Sequence, residues 1–86
     1  MWLVVLTSQV VFMLIILKVM IKLAERIRQL REAKNISQRE LAKVLGFDHT
    51  FIVQIEKGKS SISIETLVLL VKYFGCTAGY LIGIED

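Results

Sequence analysis

The residues best suited to chemistry in this chain lie between positions 37 and 58, in SQRELAKVLGFDHTFIVQIEKG. Ile52 and Ile55 form a thin apolar edge of a short predicted helix. The side chains left for the other faces of that helix are His49, Thr50, Val53, Gln54 and Lys57. A glutamine amide can make two hydrogen bonds to the edge of adenine, and hydroxyl groups can bond to base edges. The chemistry indicated is therefore hydrogen bonding to a polar surface rather than bond breaking.

Two short helices joined by a tight turn are predicted to position these side chains. Ser37 followed by Glu40 fits a capping box at the start of the first helix. Gly46 stands where a left-handed residue ends a helix, and Asp48 is a favourable N-cap for the second. A pair of helices in this arrangement presents its second helix to the major groove of DNA.

Three further helices are predicted around this pair. Apolar residues at three- and four-residue steps, Leu23, Ile27 and Leu30, indicate a helix over about 21–34. Ser63 is positioned to cap a helix over 64–74, and Thr77 to cap a short one over 78–82. The chain is predicted to be all-α.

Residues 23–83 resemble the lambda-repressor-like (Cro-type) helix-turn-helix family. The matching pieces are LAERIRQLREAKNISQRELAKVLGF, FIVQIEKGKSSISIETLVLLVKYFGC and TAGYLIG. The ordered run SQ-x-x-LA-x-x-LG, I-x-x-IE-x-G, S-x-ET-L and FGCT-x-x-YLIG makes the resemblance specific. It implies a five-helix DNA-binding domain over 21–86, preceded by an apolar extension over 1–20. It also implies binding to operator DNA, usually as a dimer.

The resemblance also implies roles for single residues. It places base-facing side chains at His49, Thr50 and Gln54, with Val53 beside them. It implies that Gln38 binds a phosphate and orients the recognition helix. Further phosphate candidates near these positions are Arg39, Lys57, Lys59 and Ser60. Such contacts fix register and affinity but do not read sequence. Arg31 and Glu56 match a partly buried ion pair that ties the first helix to the third.

The N-terminal segment MWLVVLTSQVVFMLIIL belongs to no part of that family domain. A membrane anchor is one interpretation, because the stretch of 20 residues from 2 to 21 reaches the length of a span if Lys18 snorkels. A secretory signal is disfavoured, since the segment lacks a basic start and a small-residue cleavage site. Docking on the domain or on a second subunit is another interpretation, and a misassigned start is the last. With no Gly or Pro before Asn35, the segment could also run directly into the first helix.

Helix 64–74 is apolar on more than its inward side. Val68, Leu69 and Tyr73 add to the expected inward set, and a helix that is apolar all round is normally covered. The N-terminal segment or a dimer partner could cover it. A scattering of exposed apolar residues is the alternative, and it needs no explanation.

Composition narrows the classes of function. The chain has 86 residues with 11 basic and 8 acidic, for a formal net charge of +3, which is compatible with DNA binding. Its one cysteine, Cys76, is expected to pack as a hydrophobe. No nucleophile–base pair, metal-ligand cluster or phosphate-binding glycine loop is apparent, so we expect no enzyme, no metal and no cofactor.

The sequence therefore predicts a cytoplasmic, DNA-binding transcriptional regulator. We expect a small prophage-type repressor that binds a pseudo-palindromic operator as a homodimer. Two alternatives stay open. One is the antitoxin of a toxin–antitoxin pair, whose apolar helix 64–74 would hold a toxin. The other is an adaptor tethered to the membrane by residues 1–20, whose helix-turn-helix fold binds protein rather than DNA.

Overall fold

The computed structural model describes residues 2–85, with side chains from residue 7 onward. These residues form five α-helices and no strand. In chain order the helices are α1 Trp2–Ala33, α2 Gln38–Leu45, α3 His49–Glu56, α4 Ile64–Phe74 and α5 Ala78–Ile82. The all-α, five-helix prediction is confirmed, and α2 to α5 lie where the sequence places them.

The core sits between the second half of α1 and the four short helices. It is a single cluster of buried aliphatic residues to which every helix contributes: Leu23, Ile27, Leu41, Ala42, Ile52, Ile55, Leu70 and Leu81. Helices α2 and α3 pack against each other, and α1 packs against α3 and α5. Helix α1 therefore supports the helix-turn-helix pair through its packing against α3.

Helix α1 is far longer than the predicted 21–34. It starts at Trp2 and runs without a break to Ala33, so the predicted start near residue 21 is wrong. The expectation that the N-terminal segment continues into the first helix is confirmed. The absence of Gly and Pro explains this continuity, because neither of the residues that break helices interrupts the stretch. Asn35, at a φ of 58°, turns the chain out of the helix.

The first half of α1 does not cover α4. Residues 10–17, here called the apolar arm, remain exposed along their whole length. Val68 and Leu69 on α4 are also exposed, so residues 7–17 of the segment do not cover that face of α4 within one chain. Tyr73 is half-buried against Phe74 and lies beneath the ammonium of Lys34.

No helix among the residues that the structure describes combines the length and the apolar character needed to cross a membrane.

The predicted caps of α4 and α5 are present. Ser63 Oγ accepts from the Thr66 amide at 3.2 Å, and Thr77 Oγ1 accepts from the Tyr80 amide at 3.0 Å. Arg26 fastens α5 to α1: its Nη1 donates to the carbonyls of Tyr80 and Glu85, each at 2.8 Å. These contacts join α5 and the residues that follow it to α1.

Cys76 packs against the core as a partly buried hydrophobe. Burial raises the pKa of its thiol above the ordinary value, and a backbone hydrogen bond opposes that shift more weakly. A thiol with a raised pKa carries less thiolate at neutral pH and is less reactive.

Candidate nucleic-acid interface

The turn between α2 and α3 is built from local signals. Ser37 Oγ accepts from the Glu40 amide at 3.0 Å, while the Glu40 carboxylate accepts from the Ser37 amide at 3.4 Å, which is the predicted capping box. Gly46 ends α2 in the left-handed region at a φ of 76°. This conformation favours glycine, since a side chain there meets the backbone. The chain can then reverse within three residues and begin α3.

Asp48 takes the N-cap position of α3, but it does not cap the helix in the way that the sequence predicts. Its backbone is extended, and its side chain makes no capping hydrogen bond. The first turn of α3 is held instead by the Asp48 carbonyl, which accepts from the Phe51 amide at 3.0 Å. The leading amides of α3 are thus without a carboxylate acceptor from Asp48.

Helix α3 divides cleanly into a buried side and an outer side. Ile52, Ile55 and Glu56 are buried, with Ile52 fully so. The side chains predicted to face bases recur at positions 49, 50, 53 and 54, which share one face at helical spacing. Thr50 is exposed, and His49, Val53 and Gln54 are half-buried. The structure therefore brings the four predicted base-reading residues together on the outer side of α3.

Phe51 belongs to the inner side. Its ring meets Phe47 edge to face, with centroids 5.3 Å apart and an interplanar angle of 88°. Both rings pack against the core. Phe51 therefore anchors α3 to the turn that precedes it.

Glu56, the last residue of α3, is the centre of a buried polar cluster. Arg31 reaches it from α1 with two hydrogen bonds, Nε to Oε2 at 2.7 Å and Nη2 to Oε1 at 3.0 Å. The side chain of Glu56 is 0% exposed and that of Arg31 is 13% exposed. The hydrogen bond to Glu56 raises the pKa of Arg31 above its ordinary value, which outweighs the opposing effect of burial.

Gln38 also reaches this cluster. Its amide nitrogen donates to Glu56 Oε1 at 3.3 Å, which joins the first residue of α2 to the last residue of α3. The side chain is half-buried. Gln38 therefore has a structural contact that the sequence did not reveal. That contact holds its amide at the end of α3, where the lysines of the following loop begin.

Arg28 is the member of the cluster that sequence reasoning missed. Its Nη2 donates to the backbone carbonyl of Glu56 at 2.8 Å, and its Nε lies 3.5 Å from Glu56 Oε1. A guanidinium at this place satisfies a carbonyl that a helix end leaves unpaired. Because 28 residues separate the two partners, no local pattern could have signalled the contact.

The remaining phosphate candidates lie near the same end of α3. Lys57 follows Glu56 directly, and Lys59 lies two residues further on; both are exposed. Ser60 is half-buried and its hydroxyl donates to the Ser61 carbonyl at 3.1 Å. Arg39 follows Gln38 on α2 and is exposed. Positive charge and amide donors thus flank the outer side of α3.

Comparison with known proteins finds the same helix-turn-helix arrangement. Residues 27–81 match the family model described as Helix-turn-helix. The control protein C.SmaI of Serratia marcescens is 36% identical over 50 residues, covering 58% of this chain and 60% of that protein. The HTH-type transcriptional activator BcrR of Enterococcus faecalis is 36% identical over 62 residues, covering 72% of this chain but only 30% of its own length. The chain thus spans less than two thirds of either relative.

Two solved structures share the fold. The restriction-modification controller protein C.AhdI from Aeromonas hydrophila superposes with a TM-score of 0.65 at 29% identity, covering 72% of this chain and 94% of that one. A hypothetical transcription factor, NHTF from Neisseria, superposes with a TM-score of 0.69 at 28% identity, covering 74% of each chain. In the family match, the matched residues start at Ile27, so the first part of α1 lies outside them.

Proposed function

Because the chain belongs to the lambda-repressor-like helix-turn-helix family, we propose that it is a sequence-specific DNA-binding regulator of transcription. The observation that carries this proposal is the outer side of α3. There His49, Thr50, Val53 and Gln54 share one face of a helix whose other face is locked into the core. The family is one of transcription regulators rather than of enzymes.

In the proposed complex, α3 lies in the major groove. Gln54 pairs with an adenine through two hydrogen bonds, and Thr50 bonds to a base or contacts a thymine methyl. His49, the first residue of the helix, donates to guanine N7 or to a phosphate. Gln38, Arg39, Lys57, Lys59 and Ser60 contact phosphates on either side and set the register.

The Glu56 cluster supports this proposal through rigidity. Contacts from α1 and α2 converge on the end of α3 and tie the recognition helix to the rest of the domain. Base readout depends on hydrogen-bond geometry, so a rigid mounting favours specificity over general affinity for DNA.

We further propose that the protein acts as a two-fold dimer on a pseudo-palindromic operator, and that it represses. Dimers of this kind place their recognition helices about one helical turn apart, roughly 10 bp between half-site centres. Repression needs only occupancy of a promoter, which the described interface can supply without a second binding surface.

Selection from random DNA tests the proposal. The full chain is incubated with a pool of random duplexes, and the bound fragments are sequenced over several rounds. We expect an enriched motif with two-fold symmetry and half-sites about one helical turn apart. A pool that stays random at salt concentrations where binding persists would refute sequence-specific recognition. A single half-site bound by one protomer would refute the dimer.

A promoter reporter then tests the sign of regulation. The selected motif is placed over the promoter, and expression of the chain should lower reporter output. Higher output would make the protein an activator and would leave the DNA-reading part of the proposal intact.

A further inference from the structure

The apolar arm is the largest feature that the proposed function leaves unused. All eight of its residues are large and apolar, and they are between 43% and 64% exposed. A contiguous run of exposed apolar side chains marks an interaction surface on a protein, whereas single exposed apolar residues do not.

One face of the arm continues the face that α1 buries in the core. Leu23 is buried in the core, and Val19, Ile16 and Phe12 precede it at steps of four, three and four residues. This is the spacing of a packed helix face. From Leu23 onward the domain covers the face, whereas at Ile16 and Phe12 it is open.

A groove runs alongside this face. Phe12, Ile16 and Val19 form one wall, while Ile62, Leu67 and Ile82 of the domain form the other. Its volume is about 280 Å³, which is sufficient for large aliphatic side chains from a second helix. The arm and the groove together form one continuous apolar surface.

The composition of the arm indicates what packs against it. Residues 1–17 include no Asp, Glu, Lys or Arg, so no charge selects a different protein as partner. A helix that lies in a lipid interface needs a polar face opposite its apolar one, and residues 10–17 have none. An uncharged apolar helix is complementary to another copy of itself, as a two-fold interface requires.

The open face of the arm and the groove lie side by side on one copy, so a second helix seated there contacts both at once. We propose that the Phe12–Ile16–Val19 face of the arm packs against the same face of a second copy, with the groove accepting its side chains. The inference rests on the proposed dimeric function and names the surface through which the dimer forms.

Sedimentation equilibrium on the full chain tests this assignment with a matched pair of variants. Phe12→Glu with Ile16→Glu places charges on the proposed face. Leu14→Glu with Leu17→Glu places them on the opposite face of the same arm, at residues of similar exposure. We expect the first pair to raise the dimer dissociation constant by about 100-fold or more, since charge is costly in an apolar interface. The second pair should change it by less than about tenfold.

Two further variants keep the test decisive. If circular dichroism shows that the glutamates unwind the arm, Phe12→Ala with Ile16→Ala replaces them, because alanine favours helix. Val68→Glu with Leu69→Glu charges the exposed face of α4, which is the rival surface. A dimer that survives the changes at Phe12 and Ile16, or that dissociates only when α4 is altered, overturns the inference. So does equal loss from both faces of the arm, a monomeric wild type, or wild-type protein that sediments with phosphatidylcholine vesicles.

Failure of this inference can be told apart from failure of the proposed function. A wild-type dimer held by the Phe12 face that selects no DNA sequence would uphold the interface and refute the regulator. A chain that selects a palindromic motif but dimerises through α4 would uphold the regulator and refute the interface.

Discussion

The two halves of α1 have similarly apolar residues in very different surroundings. In the second half, apolar residues alternate with charged ones, and Leu23 and Ile27 are buried while Arg26, Arg28 and Arg31 reach out to other helices. In the first half, residues 10–17 are apolar on every side and exposed. Hydrophobicity alone therefore does not place a residue in a core. Its position depends on whether a periodic face meets another element of the fold.

Replacing one isoleucine in each half of α1 with alanine should give the largest difference in lost stability between the two halves. Ile27 is 1% exposed and Ile16 is 43% exposed. Ile27→Ala should lower the free energy of unfolding by about 2–5 kcal/mol, toward the upper end because the site is fully enclosed. Ile16→Ala should cost less than about 1 kcal/mol in the monomer. Urea denaturation, at a protein concentration below the dimer dissociation constant, measures both losses. Equal losses would mean that the arm belongs to the core.

Breaking the Glu56 cluster should have the next largest effect. Arg31→Met leaves the buried Glu56 carboxylate without its main partner, and such a change typically costs about 3–5 kcal/mol. We expect the lower end of that range, because Arg28 and Gln38 still contact Glu56. Arg39→Met, at an exposed arginine, is the control and should cost less than about 1 kcal/mol. Chemical denaturation gives both values, and a loss below about 1 kcal/mol for Arg31→Met would show that the pair is solvated.

Removing the arm should affect stability least. A chain that starts at Met20 keeps Leu23 and every other residue of the core cluster. Its free energy of unfolding should stay within about 1 kcal/mol of that of the full-length monomer, since exposed residues contribute little. Its preference for the selected DNA motif should also persist at concentrations where it dimerises on DNA. Loss of the fold, seen by circular dichroism, or loss of the preferred motif would show that the arm is part of the DNA-binding domain.

Local signals in the sequence predicted most of the fold. Ser37 with Glu40, Gly46 at the turn, and the caps Ser63 and Thr77 each act within four residues, so their patterns can be recognised without the fold. The start of α1 was missed because the sequence around Trp2 offers no capping motif, and the nearly unbroken apolar run that follows has no alternation of apolar and polar residues to mark a helix. Its continuity was foreseeable only from the absence of Gly and Pro.

The polar cluster around Glu56 was predicted only in part. The Arg31 contact follows from the family resemblance. By contrast, the contacts of Arg28 and Gln38 join residues 28 and 18 positions apart and depend on how α1, α2 and α3 meet. Asp48 shows the opposite error: a favourable residue type stands at the N-cap position, yet its side chain makes no cap hydrogen bond. Residue type predicts what a side chain can do, and the fold decides which contact it makes.

Whether the outer side of α3 reads base sequence can be decided at Gln54. Binding of Gln54→Ala and Gln38→Ala is compared with wild type on the selected operator and on random DNA at one salt concentration. Gln54→Ala should lose about 1–3 kcal/mol on the operator and little on random DNA, because only base readout is removed. Gln38→Ala should weaken binding similarly on both, as expected for a phosphate contact. Equal losses on both DNAs for Gln54→Ala would show that Gln54 does not read a base.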